Sequence, residues 1–84
     1  MATSFMIHFA VNGKPCYANV YAYESTPKEY HVHIVNAHLF SDLPEHIVLE
    51  EINEKLCLRN ADGALDGELK QIVEEIRRHE NSEN

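Results

Sequence analysis

Two histidines, His31 and His33, lie two residues apart in the run EYHVHIV, in which apolar and polar residues alternate. This alternation predicts a β-strand, and residues i and i+2 of a strand project from the same side. The pair can therefore chelate a transition metal such as zinc or nickel, provided that further ligands complete the site. The other interpretation is that both imidazoles are polar side chains on the exposed side of a sheet.

A third ligand decides between these interpretations. His8 shares the predicted face with the pair, but the strand pairing described below places it roughly 16 Å from His33, given the usual strand rise and spacing. A slip of two residues still leaves about 11–12 Å. Either His38 or His46, which follow the strand, would have to fold back. The alternative metal site that we consider therefore consists of His31, His33 and His38, and we favour the exposed sheet face.

The first two strands are defined by Asn12-Gly13. This is the strongest short hairpin signal, because a type I′ turn needs two residues that tolerate positive φ. In this turn Val11 lies opposite Lys14, and the remaining pairs follow. The apolar side of the hairpin, which we call the inner face, receives Phe5, Ile7, Phe9, Cys16, Ala18 and Val20. The opposite side, the outer face, receives Met6, His8, Ala10, Tyr17, Asn19 and Tyr21.

A third strand follows the polar segment ESTPKE. The apolar residues stay on the inner face if Ala22 pairs with Val32 and Val20 with Ile34. The same pairing places Tyr23 opposite His31 and Tyr21 opposite His33 on the outer face. The outer face then carries several tyrosines and histidines, and tyrosine is favoured at protein interfaces because it offers a large contact area and keeps its hydroxyl in water. We predict an interaction surface formed by His8, Tyr17, Tyr21, Tyr23, His31 and His33. The alternative is an ordinary sheet face with cross-strand Tyr–His pairs.

Residues 46–59 permit two interpretations. A helix would begin with a capping box of Asp42 and Glu45 and would have an apolar stripe of Val48, Leu49, Ile52 and Leu56. A hairpin turning at Asn53-Glu54 would share one face among Ile47, Leu49, Leu56 and Leu58. We choose the hairpin, because the helix leaves Ile47 and Leu58 off its stripe, although glycine would suit the turn better than Glu54.

The C-terminal segment predicts a helix from about 67 to 80. Its apolar residues recur at helical spacing, namely Leu65, Leu69, Ile72, Val73 and Ile76. Asp66 is the expected N-cap, and basic side chains gather in the last turn, where they complement the helix dipole. We therefore predict an α+β fold: an antiparallel meander of about five strands with one C-terminal helix packed on one face. Residues 1–84 form one domain, with 1–3 and 81–84 as frayed termini.

The charge balance argues against nucleic-acid and membrane partners. The chain has 14 acidic and 7 basic residues, a formal net charge of −7, and its lysines and arginines are scattered. Binding to phosphate backbones or anionic lipids depends on clustered basic residues. The first residues do not resemble a signal peptide, so we expect a cytoplasmic protein. Cys16 and Cys57 are expected to be two buried free thiols, with a bridge between elements as the alternative.

Catalysis has little support in the sequence. The serines lack a nucleophile elbow, the paired glutamates are typical of solvated surface, and no glycine-rich phosphate loop is present. We predict a non-catalytic interaction module that binds a protein partner or a second copy through the outer face or an exposed strand edge. No cofactor is expected, and zinc or nickel belongs to the alternative.

Overall fold

The computed structural model describes residues 2–40, 43–61 and 66–82, and these form five strands, a 3-10 turn and an α-helix. The elements are β1 (Ala2–Val11), β2 (Lys14–Tyr23), β3 (Glu29–Ile34), the 3-10 turn Ala37–Leu39, β4 (His46–Ile52), β5 (Lys55–Ala61) and α1 (Asp66–Ser82). The strands pair antiparallel in the order β1-β2-β3-β4-β5, which confirms the predicted α+β meander. Some residues used in the predictions lie outside the described ranges: Met1, Asp42, Leu65, Glu83 and Asn84.

The turn at Asn12-Gly13 forms as predicted, with φ values of 53° and 79°. Positive φ at both central residues defines the type I′ turn, whose twist matches that of the two strands. The pairing runs from Val11 opposite Lys14 to Ala2 opposite Tyr23, as the sequence predicts. Because side chains alternate along a strand, this single turn decides the face on which each residue of the hairpin lies.

The second hairpin also forms, so the helical alternative for residues 46–59 is wrong. Asn53 and Glu54 both have positive φ, 52° and 67°. Left-handed backbone costs a residue with a Cβ about 1–2 kcal/mol, so the turn forms against a local preference. A bulge in β5 shifts the pairing from Leu49–Leu58 to Val48–Asn60.

Leu58 is less buried than its predicted place in the hairpin implies. It shares a side of the sheet with Leu49 as predicted, yet it is 43% exposed. The reason is its position on β5, which lies at the sheet edge opposite to β1, the strand against which α1 packs.

The predicted pairing of β2 with β3 is wrong by two residues. Ala22 lies opposite Tyr30 and Val20 opposite Val32, instead of the predicted Val32 and Ile34. The loop between the strands is residues 24–28, two residues shorter than the predicted pairing of Tyr23 with His31 requires, and the Ser25 hydroxyl braces it by donating a 2.7 Å hydrogen bond to the Pro27 carbonyl. A shift of two residues leaves each side chain on its face, so the predicted faces are unaffected.

Helix α1 covers the inner face. Ile72 and Ile76 are fully buried against the sheet, and Leu69 and Val73 pack beside them, which matches the predicted stripe. The sheet side of this core consists mainly of Ile7, Phe9, Cys16, Val20, Tyr30, Val32, Ile34, Ile47 and Leu49.

Both cysteines are free, but only Cys16 is buried. The prediction of a buried thiol is therefore wrong for Cys57, which is exposed. Its partner across the hairpin is Glu50, on the outer face, which α1 does not cover.

A polar contact fastens the last turns of α1 to β3. The side chain of Tyr30 is fully buried, and its hydroxyl donates a hydrogen bond to the Glu80 carboxylate, which also accepts one from Lys28 Nζ at 3.2 Å. Burial, together with the hydrogen bond to Glu80, raises the pKa of Tyr30 to about 12. Tyr30 is therefore a neutral phenol in the folded protein.

Two isoleucines on opposite sides of the sheet test the assignment of the core. We expect Ile72→Ala to lower the free energy of unfolding by about 2–5 kcal/mol, because it leaves a cavity under the helix. Ile52→Ala is the matched control, since Ile52 is 46% exposed on the outer side. Its loss should stay below about 1 kcal/mol. Urea denaturation of both variants measures the difference, and equal losses would contradict this assignment.

The Tyr30 contact predicts a loss of stability in alkali. An unfolded tyrosine loses its proton near about pH 10. Tyr30 in the folded protein has a pKa of about 12 and keeps its proton longer. The folded state therefore binds more protons in this range, and the free energy of unfolding falls as pH rises through it.

Tyr30→Phe should remove a part of this fall on the order of 2 kcal/mol, because the variant has no phenol to titrate at this position. Urea denaturation at several pH values measures the fall for both chains. An unchanged fall in the variant would show that Tyr30 does not contribute.

Candidate interaction face

The outer face of the sheet brings together all six side chains of the predicted interaction surface. The observed pairing arranges the face in rows across the strands. One row contains Ser4, Tyr21, His31 and Val48, the next contains Met6, Asn19, His33 and His46, and His8 with Tyr17 lies beyond it. The corrected register therefore places His31, and not His33, opposite Tyr21.

Aromatic rings contact each other along this face. Tyr23 and His31 meet edge to face with their centroids 4.9 Å apart, and His8 and Tyr17 do so at 5.1 Å. The ring of His46 lies 5.6 Å from that of His31 and joins the face, although His46 was not among the six residues of the predicted surface. The hairpin interpretation of residues 46–59 already implies that His46 lies on the outer face. Adjacent residues of a strand project to opposite faces, and the residue after His46 lies on the inner face.

Two of these histidines each contact a carboxylate of their own. His31 Nε2 lies 3.0 Å from Glu29 Oε1, and His33 Nε2 lies 3.2 Å from Glu45 Oε1. Glu29 also accepts a 2.7 Å hydrogen bond from Arg59. The hydrogen bond with His31, with the charge of Arg59, lowers the pKa of Glu29 against the opposing effect of burial. The carboxylate is therefore ionised at neutral pH and is balanced by the guanidinium.

The outer face has no formally charged side chain between Ser4 and Ala10 on β1 or between Pro15 and Tyr23 on β2. Its positions there are Ser4, Met6, His8, Ala10, Pro15, Tyr17, Asn19, Tyr21 and Tyr23. Met6 is 51% exposed and the three tyrosines 38–43%. Charges on this side of the sheet begin at β3, with Glu29.

This composition is unusual for a surface of such an acidic chain. Depletion of charge with enrichment in tyrosine and methionine is typical of an interface core. Here it occurs on a chain of net charge −7. We call these residues of β1 and β2 the uncharged patch.

The alternative metal site gains no third ligand in the part of the chain that the structure describes. No three His, Cys, Asp or Glu side chains there are grouped so that they could hold one metal ion. His38 lies exposed in the 3-10 turn after β3. The register sets His8 apart from His33 by two residues and two strands. The usual strand rise and spacing make this a separation of about 11–12 Å.

Comparison with known proteins found no protein-family model, curated protein or solved structure that matches the chain. Within the described ranges, no helix combines the length and the apolar composition that crossing a membrane requires. We therefore infer the function from the geometry and the charge distribution of the outer face.

Metal addition tests the alternative site directly. His31 and His33 contact separate carboxylates, and no three-ligand group is found among the described residues. We therefore expect Zn²⁺ or Ni²⁺ to leave the thermal midpoint of unfolding unchanged, since an ion that does not bind the folded state cannot stabilise it. Differential scanning calorimetry with and without each ion measures the midpoint. A concentration-dependent rise that His31→Ala abolishes would contradict the expectation and support the metal site.

Proposed function

We propose that this chain is a non-catalytic interaction module of the cytoplasm whose outer face binds a second copy of itself. The supporting observation is the uncharged patch, rich in tyrosine, on β1 and β2. The opposite face of the sheet is occupied by α1, so the outer face is the broad sheet surface open to a partner.

The charge distribution favours a second copy as the partner. Each copy has a net charge of −7. Two copies therefore repel each other, and the repulsion is smallest when the surfaces that meet lack charge. The uncharged patch is such a surface, and a two-fold arrangement places the same patch on both sides of the contact. Tyrosine and methionine side chains then cover one another, while the carboxylates of the helix remain in solvent.

Association would stabilise a domain as small as this one. A domain of 84 residues has a small core. One core of this kind rarely supplies more than about 3–5 kcal/mol of net stability. Covering Met6 and the three exposed tyrosines removes apolar area from water at about 25 cal/mol per Å². Self-association therefore adds to the stability of the fold as well as forming the contact.

Sedimentation equilibrium tests the proposal. We expect the unmodified chain to be in a monomer–dimer equilibrium, and we expect the double variant Tyr17→Ser with Tyr21→Ser to weaken the dimer by about tenfold or more, since buried tyrosines are frequent hot spots. Leu39→Ser is the matched control, because Leu39 is 67% exposed but lies in the 3-10 turn, outside the uncharged patch.

Circular dichroism confirms that each variant is folded. A chain that remains a monomer over a wide concentration range would refute the proposal. So would a dimer that the tyrosine substitutions leave intact and the Leu39 substitution weakens.

A further inference from the structure

One side-chain amide occupies the position of an added strand at the free edge of β1. Gln71 of α1 accepts a hydrogen bond from the Ala10 N–H at 3.1 Å and donates one to the Ala10 carbonyl at 2.8 Å. An amide that both accepts and donates in this way imitates the peptide group of a neighbouring strand. The edge of β1 is therefore able to bind backbone-like groups.

The same edge continues past Gln71. Along an antiparallel strand, alternate residues direct their N–H and C=O groups toward the paired strand and away from it. Ala10 directs both groups away from β2, so His8 and Met6, two and four residues earlier, do the same. The register pairs β1 with β2 alone among the described strands. Two residues thus offer four hydrogen-bonding groups at the edge.

A groove accompanies these groups. A cavity of about 240 Å³ lies between β1 and α1, lined by Met6, Ile7, His8, Glu75, Arg78 and His79. Consecutive strand residues point to opposite faces, so a cavity that touches residues 6, 7 and 8 must open on the edge of the strand. Glu75 and Arg78 pair with each other at 2.9 Å, and their charges are thereby satisfied along the helix.

From this geometry we infer that the β1 edge and the groove beside α1 bind an extended peptide segment of a partner protein as a sixth strand. Its backbone pairs with Met6 and His8, and an apolar side chain of the segment enters the groove above Ile7. The net charge of −7 on the chain favours a segment of positive net charge. Gln71 marks the end of the site. The inference is distinct from the self-association proposed above: the peptide binds the backbone edge of β1, whereas the second copy covers the outer face, to which the side chains of Met6 and His8 also belong.

Substitution of Met6 by proline distinguishes binding through the backbone edge of β1 from binding through the Met6 side chain. Met6 pairs with Asn19 in the register and directs its N–H away from β2. Met6→Pro therefore removes an outward donor and places a ring on the edge without removing a β1–β2 hydrogen bond. Met6→Leu is the matched control, because it keeps the N–H and an apolar side chain. The probe is a phage-displayed library of random peptides of about nine residues, which spans β1 from Ser4 to Ala10 at about 3.3 Å per residue.

We expect the unmodified chain and Met6→Leu to enrich the same basic, alternating peptides, and Met6→Pro to bind them at least about tenfold more weakly. Amide exchange gives a second measurement that needs no variant: a selected peptide should slow exchange at Met6 and His8, and leave Ile7 and Phe9, which already pair with β2, unchanged.

The inference is overturned if no peptide is enriched, or if the selected peptides bind Met6→Pro as tightly as the unmodified chain. It is also overturned if exchange at Met6 and His8 slows with rising protein concentration and no peptide, because a second copy then occupies the edge.

Discussion

One helix can cover only one side of a sheet, and this constraint decides the character of the molecule. The type I′ turn at Asn12-Gly13 divides β1 and β2 into an apolar side and a tyrosine–histidine side. Helix α1 covers the apolar side with Ile72 and Ile76, and its last turns are held there by Glu80. In a chain this short the second side has no further element to cover it among the described residues, so its composition must suit either water or a partner. The lack of charge at its β1 and β2 positions favours a partner.

The fold could be predicted wherever local chemistry and the hydrophobic pattern agreed. The first hairpin had both, since Asn12-Gly13 favours the turn and the resulting register collects the apolar residues on one side. The second hairpin was indicated only by its hydrophobic pattern, without a favourable turn sequence. Glu54 takes a backbone conformation that its residue type disfavours, so the packing of Ile47 and Leu49 overrides the local preference.

Two of the errors, in the β2–β3 register and at His46, have a common physical origin, because they depend on how a loop closes. A shift of two residues between β2 and β3 satisfies the hydrophobic pattern equally well, so the pattern could not choose the register that puts Tyr21 beside His31. His46 was missed for a related reason, since its place on the outer face depends on where β4 begins. The six predicted surface residues were nevertheless assigned to the correct side, because a shift of two residues in the register leaves every side chain on the same face of the sheet.

Side-chain amides complete the sheet where strands end. Asn36 accepts a hydrogen bond from the Tyr17 N–H at 3.1 Å and donates one to the Pro15 carbonyl at 3.2 Å, and so extends the bonding of β3 along β2. Gln71 does the same for β1 at Ala10. Exposed strand edges invite association, and proteins commonly blunt them. Here the blunting stops at Ala10, and the edge beside Met6 and His8 keeps its hydrogen-bonding groups.

The most direct test of the central claim, that the uncovered outer face is the contact surface, is an NMR spectrum recorded at increasing protein concentration. We expect signals from Tyr17, Tyr21 and His8 to shift progressively, while signals from Ile72 and Ile76 under the helix stay in place. Shifts confined to α1, or no concentration-dependent shift at all, would contradict it.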